Sequence, residues 1–186
     1  MAITTLDGII AALGNSAQQL VINKASITSQ VAGGFTSLWR ATGTPAQAAI
    51  PAAAATCNRK LLGAFIFTNP SAGLSSYIAR LMMLSSNSAT DVQIHDRLAH
   101  MGGLNGTLTT AQTVGVDVSV SALDSRRGDS SYSDVQWWLE WYTATGSTAV
   151  TATVSYTNAA GVSGKTTTVS IAASLAASRM LPIIGS

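Results

Sequence analysis

Charge is scarce in this sequence. Of its 186 residues, 10% are charged and 47% are hydrophobic, whereas an ordinary globular domain carries about 25% charged residues. Ten Lys and Arg against eight Asp and Glu leave a net charge of +2. That excess is too small to predict the basic face of a nucleic-acid-binding protein. Intrinsic disorder is disfavoured as well, because it goes with high net charge and low hydrophobicity.

Long apolar runs and a basic N-terminus are also missing. The most apolar stretch, 46–67, is interrupted by Asn58, Arg59 and Lys60. The sequence therefore contains no run of about 18 apolar residues, which is the length that predicts a membrane span. We expect no membrane partner. The first basic residue is Lys24, so the N-terminus lacks the positive region of a secretory signal. Export by that route is not expected.

Residue types that support catalysis or metal binding are few. Cys57 is the only cysteine, which excludes an internal disulfide, and Glu140 is the only glutamate, which leaves no obvious pair of facing carboxylates. His95 and His100 flank Asp96 and could serve a small hydrolase or a metal enzyme, although their spacing does not match a helical i,i+4 pair. Phosphate-loop and nucleophile-elbow motifs are absent. We expect no enzymatic activity, no catalytic residue, no metal and no cofactor.

The N-terminal residues 1–14 contain a short amphipathic helix. The pattern predicts a helix over 5–13, with Thr4 or Thr5 as the N-cap and Gly14 as the C-cap. Its apolar residues recur at i, i+3, i+4 and i+7 and form one stripe: Leu6, Ile9, Ile10 and Leu13. A helix this short needs a surface to dock on. That surface is either the rest of the domain or a neighbouring subunit, and we take the stripe as a candidate interface.

A second candidate interface is the segment 42–56. It is rich in alanine and carries Pro45 and Pro51, two of the four prolines of the chain. Both prolines prevent a helix here, which predicts an extended arm or linker. Because the arm does not clearly end a domain, we expect a single domain over 1–186.

Short strands account for most of the remaining chain. Apolar runs and alternating patterns predict strands at 19–27, 35–41, 61–68, 77–84, 91–98, 114–120, 135–142, 148–157 and 165–171. The last two are joined by a turn-rich loop and are expected to form a hairpin whose outer face carries Ser and Thr. Short strands at intervals of about ten residues predict a mainly β fold, an antiparallel jelly-roll-like sandwich or barrel.

The aromatic strand 135–142 has two partly apolar faces. Alternation places Trp137 and Trp141 on one face and Trp138 and Tyr142 on the other. We expect the first face to pack in the core. Trp138 and Tyr142 are candidate interface residues, because aromatic rings provide large contact areas at low entropic cost. They could equally serve a receptor- or glycan-binding module.

The polar stretch 124–134 contains the tripeptide Arg127-Gly128-Asp129. This tripeptide binds cell-surface receptors only when a tight, exposed loop displays it, and it occurs often by chance. A solvated or salt-bridged loop is the simpler interpretation, and the sequence leaves a binding role open.

Four segments of the chain carry a resemblance to a known class of proteins: MAITTLDGIIAAL (1–13), AGGFTSLWRATGTP (32–45), IHDRLAHMGGLNGTLTTAQTV (94–114) and VTATVSYTNAAGVSGKTTTVS (150–170). They resemble virion structural proteins of tailed bacteriophages, in particular head decoration or cement proteins. The resemblance implies a β-rich protein without a cofactor, often trimeric, that stabilises a capsid from its outer surface. It implies no functional residue, because this class has no common motif to match position by position.

The resemblance and the composition predict the same function. Uncharged polar groups can be buried between subunits at lower cost than ions, which suits a surface covered by neighbours. We therefore expect a non-enzymatic decoration protein, made in the host cytoplasm and located in the virion on the capsid surface. Its expected partners are the major capsid protein and itself, as a homotrimer. A tail or connector component is the alternative within the same class.

Overall fold

A computed structural model describes residues 4–15, 18–68, 70–73, 76–78, 80–84 and 90–184. It contains one α-helix, one short 3-10 helix and nine β-strands in these ranges. The helices are α1 (Leu6–Asn15) and the 3-10 turn Ser121–Leu123. The strands are β1 (Asn23–Lys24), β2 (Phe35–Thr36), β3 (Gly43–Thr44), β4 (Ala55–Thr56), β5 (Ala99–His100), β6 (Trp137–Glu140), β7 (Val150–Tyr156), β8 (Lys165–Ile171) and β9 (Arg179–Ile183).

All strand pairs among the described residues are antiparallel. The largest sheet has the order β2-β9-β6, and β9 in its centre pairs Leu181 with Leu139 and Pro182 with Trp138. The pairs β1-β3, β4-β5 and β7-β8 form three separate two-stranded sheets. The prediction of a mainly β, antiparallel fold is therefore confirmed. The predicted sandwich or barrel is not confirmed, because the four sheets are small and no backbone ladder joins one to another.

The β7-β8 hairpin is the most regular part of the fold. Its ladder pairs seven residues of each strand, from Val150 opposite Ile171 to Tyr156 opposite Lys165. In the connecting turn the Asn158 side chain accepts a hydrogen bond of 3.0 Å from the backbone N–H of Val162. Alternate residues face the chain and the solvent, and the outer face carries hydroxyl side chains: Thr151, Thr153, Ser155, Thr166, Thr168 and Ser170. The predicted hairpin is confirmed.

Helix α1 begins where the sequence places its cap. The Thr5 hydroxyl oxygen accepts a hydrogen bond of 3.1 Å from the backbone N–H of Gly8, which satisfies one of the unpaired donors of the first turn. Asp7 in the same turn faces the positive end of the helix dipole. The helix continues through Gly14 to Asn15, so Gly14 lies inside the helix and the prediction that it forms the C-cap is wrong.

Several predicted strands are absent from the described residues. The 61–68 segment forms turns, with hydrogen bonds from Leu61 N to Asn58 O and from Ala64 N to Leu61 O. In 114–120, Val116, Val118 and Val120 are half-buried, as predicted, whereas Val114 is exposed, and no described strand pairs with the segment. The predicted strands at 77–84 and 91–98 likewise form no ladder, and those at 19–27 and 35–41 are reduced to two residues each.

The buried core is small and made mostly of small side chains. Its hydrophobic members are Ala41, Ala48, Cys57, Leu123, Val169 and Ile171. Leu123 is the largest fully buried side chain among the described residues. With so few buried side chains, each backbone pairing and each close approach of two segments has a large share in the stability of the fold.

Gly43 permits such an approach between β3 and β1. Its φ is +131°, and a Cβ atom there would lie 2.0 Å from the backbone oxygen of Asn23. Replacing Gly43 by alanine should therefore lower the free energy of unfolding by about 2 kcal/mol, measured by urea denaturation. The control is Gly14→Ala in α1, where a Cβ meets no atom within 4 Å and helix propensity should add about 0.5–1 kcal/mol. Equal midpoints for both variants would contradict the β1-β3 pairing.

Candidate functional site

The apolar stripe of α1 lies on the surface of the chain. Its four predicted interface residues are between 42% and 71% exposed: Leu6, Ile9, Ile10 and Leu13. None of them is covered by another part of the described chain. Leaving four large aliphatic side chains of one stripe in water costs about 1.5–3 kcal/mol for each relative to burial. The described part of the chain therefore leaves the stripe open to a further contact.

The 42–56 segment is extended, as predicted, but it packs on its own chain. The Lys24 ammonium group donates hydrogen bonds to the carbonyl oxygens of Ala41 and Pro45, at 3.1 and 2.5 Å. The carbonyl oxygen of Pro51 accepts a bond of 3.1 Å from Gly102 N. Both prolines are half-buried. Because part of this segment is already occupied, it is a weaker candidate for an assembly contact than α1.

The aromatic strand β6 distributes its rings differently from the sequence prediction. Trp138 packs edge-on against Phe35 of β2, with ring centroids 5.0 Å apart, and Tyr142 lies under the Arg40 guanidinium at 5.7 Å. Both candidate interface residues are thus half-buried by their own chain. Trp137, which we expected in the core, is 41% exposed. Burial, together with the nearby Glu140 carboxylate, raises the pKa of Tyr142.

A partly buried ion pair includes Glu140 at the end of this strand and Arg97, whose side chain is 25% exposed. The Arg97 guanidinium donates a hydrogen bond of 2.9 Å to Glu140 Oε2, and the Glu140 side chain is only 7% exposed. Arg97 also lies over the Trp39 ring at 4.7 Å. The imidazole of His100 packs edge-on against Trp39 at 6.0 Å, and burial together with Arg97 lowers the pKa of His100. We call this group the Arg97 cluster: Trp39, Arg97, His100 and Glu140.

The Arg97 cluster is not fully hydrogen-bonded. Four buried polar atoms in or next to it have no hydrogen-bond partner within the described part of the chain: Trp39 Nε1, His100 Nδ1, Glu140 Oε1 and Trp141 Nε1. Each such atom costs about 1–3 kcal/mol if it stays unpaired. The Arg97–Glu140 pair therefore links strand β6 to the segment just before β5, while the four unpaired atoms lower the net stabilisation. Loss of either Arg97 or Glu140 would change the local stability considerably.

The histidine and aspartate residues flagged in the sequence have separate structural partners. Asp96 binds Arg126, with Oδ1 2.5 Å from Nη2, and His95 lies 3.1 Å from the Gln93 side chain. His100 belongs to the Arg97 cluster. Over the ranges that the structure describes, no three His, Cys, Asp or Glu side chains come together in a way that could hold a metal ion. These residues therefore do not form one site.

Arg126 and Cys57 connect two segments far apart in sequence. The Arg126 guanidinium donates hydrogen bonds to the carbonyl oxygens of Cys57 and Arg97, and the Cys57 N–H donates one of 2.7 Å to Leu98 O. The thiol itself is buried, and this burial raises its pKa. Cys57 is therefore a small buried side chain, as predicted, and its backbone joins the two segments.

In the Arg127-Gly128-Asp129 tripeptide the arginine is held by the rest of the chain, while Gly128 and Asp129 are exposed. The Arg127 side chain is bound by the Asp124 carboxylate at 2.6 Å, lies 5.0 Å from the Tyr132 ring centroid, and donates to the carbonyl oxygens of Val118 and Val120. Asp129 accepts hydrogen bonds from Ser131, which lower its pKa. These bonds describe a salt-bridged loop, which was the simpler of the two interpretations.

The sequence prediction did not identify the segment 77–84 as an exposed surface. Its large apolar side chains are 47–94% exposed: Tyr77, Ile78, Leu81, Met82, Met83 and Leu84. The sequence shows a short apolar run there, and such a run is the usual signal of a buried strand. Apolar runs that are covered by a second molecule give the same signal, so the run alone could not distinguish the two.

The accessible surface of the chain is far too large for a compact monomer. It amounts to 13430 Å², whereas a folded monomer of 19.0 kDa exposes about 8,400 Å². The chain also surrounds an open concavity of about 4790 Å³, compared with about 300–1,000 Å³ for a small-molecule pocket. Residues from most of the described segments line this space, so it reflects loose packing and does not mark one binding site.

Comparisons with known proteins identify no relative of the chain. No protein-family model matches it, and searches of curated proteins and of solved structures return no significant match. In the described residues, no helix has the length and apolar character needed to cross a membrane. The candidate functional site is therefore inferred from the exposed apolar surface. Large apolar side chains are exposed in many segments, and we take the α1 stripe and the 77–84 segment as the candidate site because several of them occur together there.

Proposed function

We propose that the protein is a non-enzymatic structural component of a virion that binds the capsid surface as a homotrimer and stabilises it. Its partners are the major capsid protein and further copies of itself. One observation carries the assembly role: the chain exposes about 5,000 Å² more than a compact monomer of its mass. Obligate subunit interfaces bury about 1,000–2,500 Å² on each partner, so contacts with two or more neighbours would account for this surface.

The chemistry of the exposed surface supports a structural role. The apolar side chains of α1 and 77–84 suit permanent contacts, whose centres are poor in charge. The outer face of the β7-β8 hairpin carries hydroxyl groups in place of the usual Lys and Glu, so a neighbour can cover it without desolvating ions. The resemblance of four segments to decoration proteins favours a virion over other assemblies.

Light scattering followed by mixing with capsids tests this function. The purified protein should have the mass of a trimer, and it should co-sediment with undecorated capsids built from the major capsid protein of the same virus. A protein that binds isolated tails and leaves capsids bare would assign it to the tail or connector. A protein that binds neither particle would overturn the proposal.

The α1 stripe provides the matching mutational test. We expect Ile9→Ser with Ile10→Ser to weaken self-association by at least about tenfold, because two exposed isoleucines lose the apolar area that they would bury. The measurement is the mass of the variant as a function of concentration, followed by capsid co-sedimentation.

A matched control separates this contact from general loss of apolar surface. Leu108 and Val162 are similarly exposed apolar residues in turns, and Leu108→Ser with Val162→Ser should leave assembly unchanged. Normal assembly and normal particle binding by the α1 variant would show that the stripe is not an interface.

A further inference from the structure

A hydrogen-bonded joint lies between two exposed apolar elements of the chain. The Gln18 side chain, just beyond α1, donates a hydrogen bond of 2.8 Å to Thr68 O and accepts one of 2.6 Å from Thr68 N. The 77–84 segment begins nine residues after Thr68. The apolar side chains of α1 and those described at 77–84 are exposed, so the described residues of one copy bury neither element.

The two elements are complementary in charge. Helix α1 contains one charged residue, Asp7, and the 77–84 segment contains one of opposite sign, Arg80. Both residues are exposed, and neither forms an ion pair with any residue that the structure describes. Apart from this pair, contact between the elements would bury only uncharged side chains. A contact between the two elements therefore brings no like charges together and contains one pair of opposite charges.

The uncovered surface of the chain is large enough to include a subunit interface. The excess of about 5,000 Å² over a compact monomer belongs to the whole chain, and an obligate contact takes about 1,000–2,500 Å² from each partner. The α1 stripe spans two turns of helix, and the apolar side chains at 77–84 provide a surface of similar extent. A single copy presents both halves of the contact, so the same pairing can be repeated from copy to copy and can close a ring.

We propose that α1 of one copy packs on the 77–84 segment of a second copy, with the Asp7 carboxylate facing the Arg80 guanidinium. This contact rests on the proposed assembly function and names the surfaces that join the subunits. The helix buries its apolar stripe on the neighbour, and the neighbour buries the apolar side chains of 77–84 on the helix. Repetition of this contact around three copies produces the trimer.

Cross-linking between two single-cysteine chains tests the contact directly. Both chains carry Cys57→Ala; one also carries Ile10→Cys and the other Met82→Cys. After joint refolding and mild oxidation, the mixture should give a disulfide-linked dimer, which neither chain should give alone. A Val162→Cys chain mixed with the Met82→Cys chain is the control, and it should remain unlinked.

The same two cysteines placed in one chain distinguish the proposed contact from packing within a copy. The variant with Ile10→Cys and Met82→Cys should give linked dimers and trimers on oxidation at low protein concentration. A linked monomer with altered gel mobility would overturn the proposal, since it would show that α1 covers 77–84 of its own chain.

A charge exchange tests the pairing of Asp7 with Arg80. We expect Asp7→Arg and Arg80→Asp, each alone, to weaken self-association by about tenfold at low salt, because each places like charges opposite one another. The variant with both changes should recover to within about threefold of the unmodified chain. An arginine in the first turn of α1 also opposes the helix dipole. This effect is the same in Asp7→Arg and in the double variant, so a recovery of self-association in the double variant reports the pairing of residues 7 and 80.

The outcomes separate the contact from the function. An oligomer that binds capsids, but shows neither the cross-link nor the charge recovery, overturns the contact and leaves the proposed function in place. A monomer that binds capsids also overturns the contact, and cross-links from Ile10→Cys to the major capsid protein would then identify what covers α1. A monomer that binds no particle overturns both.

Discussion

Replacing Glu140 by alanine should lower the free energy of unfolding by about 3 kcal/mol, one of the two largest effects that we expect in this chain. The Glu140 side chain is 7% exposed, and its Oε2 atom accepts the hydrogen bond from Arg97. Without the carboxylate, the Arg97 guanidinium stays between Trp39 and strand β6 with no compensating charge. The cost comes mainly from this unpaired cation, since the net energy of an intact buried pair is small.

A double variant tests this explanation. Arg97→Met with Glu140→Leu removes both charges and keeps apolar volume, so it should be less destabilising than Glu140→Ala alone. Asp124→Ala provides the exposed control: its carboxylate is 57% exposed beside Arg127, and its loss should cost less than about 1 kcal/mol. Urea denaturation at one fixed protein concentration measures all three, because assembly adds to the apparent stability. A small change in the free energy of unfolding for Glu140→Ala would show that water at the exposed part of the Arg97 side chain is enough to hydrate its unpaired charge.

Replacing Leu123 by alanine should cost about 3 kcal/mol. Leu123 is 1% exposed, and its carbonyl oxygen accepts hydrogen bonds from the N–H groups of Arg126 and Arg127, at 2.9 and 3.0 Å. A cavity at this position would loosen the turn that positions the side chains of Arg126 and Arg127. Arg126 joins the segments around Cys57 and Arg97, so the effect should extend beyond the cavity itself.

The matched control for Leu123 is an exposed leucine in a turn-rich segment. Leu104 is 42% exposed, and Leu104→Ala should change the free energy of unfolding by no more than about 0.5 kcal/mol. Urea midpoints of the two variants provide the comparison. If Leu123→Ala costs as little as the control, then Leu123 is not a core residue and the 124–134 loop is held by its ion pairs alone.

The parts of the fold that sequence analysis predicted correctly rest on local patterns. The hairpin β7-β8 follows from β-branched residues alternating on both sides of a turn, and α1 follows from its cap and stripe. In each case, residues near one another in sequence make the decisive contacts. The apolar stripe of α1 could be predicted for the same reason, because a two-turn stripe is visible without any knowledge of tertiary structure, and its role as an interface stays a proposal.

The missed parts depend on contacts between distant residues. Sequence analysis assigned no strand to β9, and Pro182 within it argues against a central strand, since proline cannot donate to a ladder. The 114–120 segment has the correct alternation, but the carbonyl oxygens of Val118 and Val120 accept hydrogen bonds from Arg127 and not from a strand. No local pattern indicates either outcome.

The candidate site was partly predictable for similar reasons. Arg97 and Glu140 are separated by 43 positions, and nothing near either residue indicates that they meet. Trp138 and Tyr142 were assigned to an interface because β6 is apolar on both faces, yet Phe35 and Arg40 of the same chain cover part of them. An apolar pattern in the sequence predicts that a side chain will be buried, but it does not show whether the same chain or a neighbouring subunit buries it.

The large accessible surface also determines how the chain responds to heat. The unfolded chain would expose about 27,600 Å², so a single copy with 13430 Å² hides about half of that surface, where a compact domain hides roughly 70%. The heat capacity change of unfolding follows the apolar surface that becomes hydrated. An isolated copy would therefore melt gradually with a small heat capacity change, and the sharp transition of an ordinary domain would belong to the assembled particle.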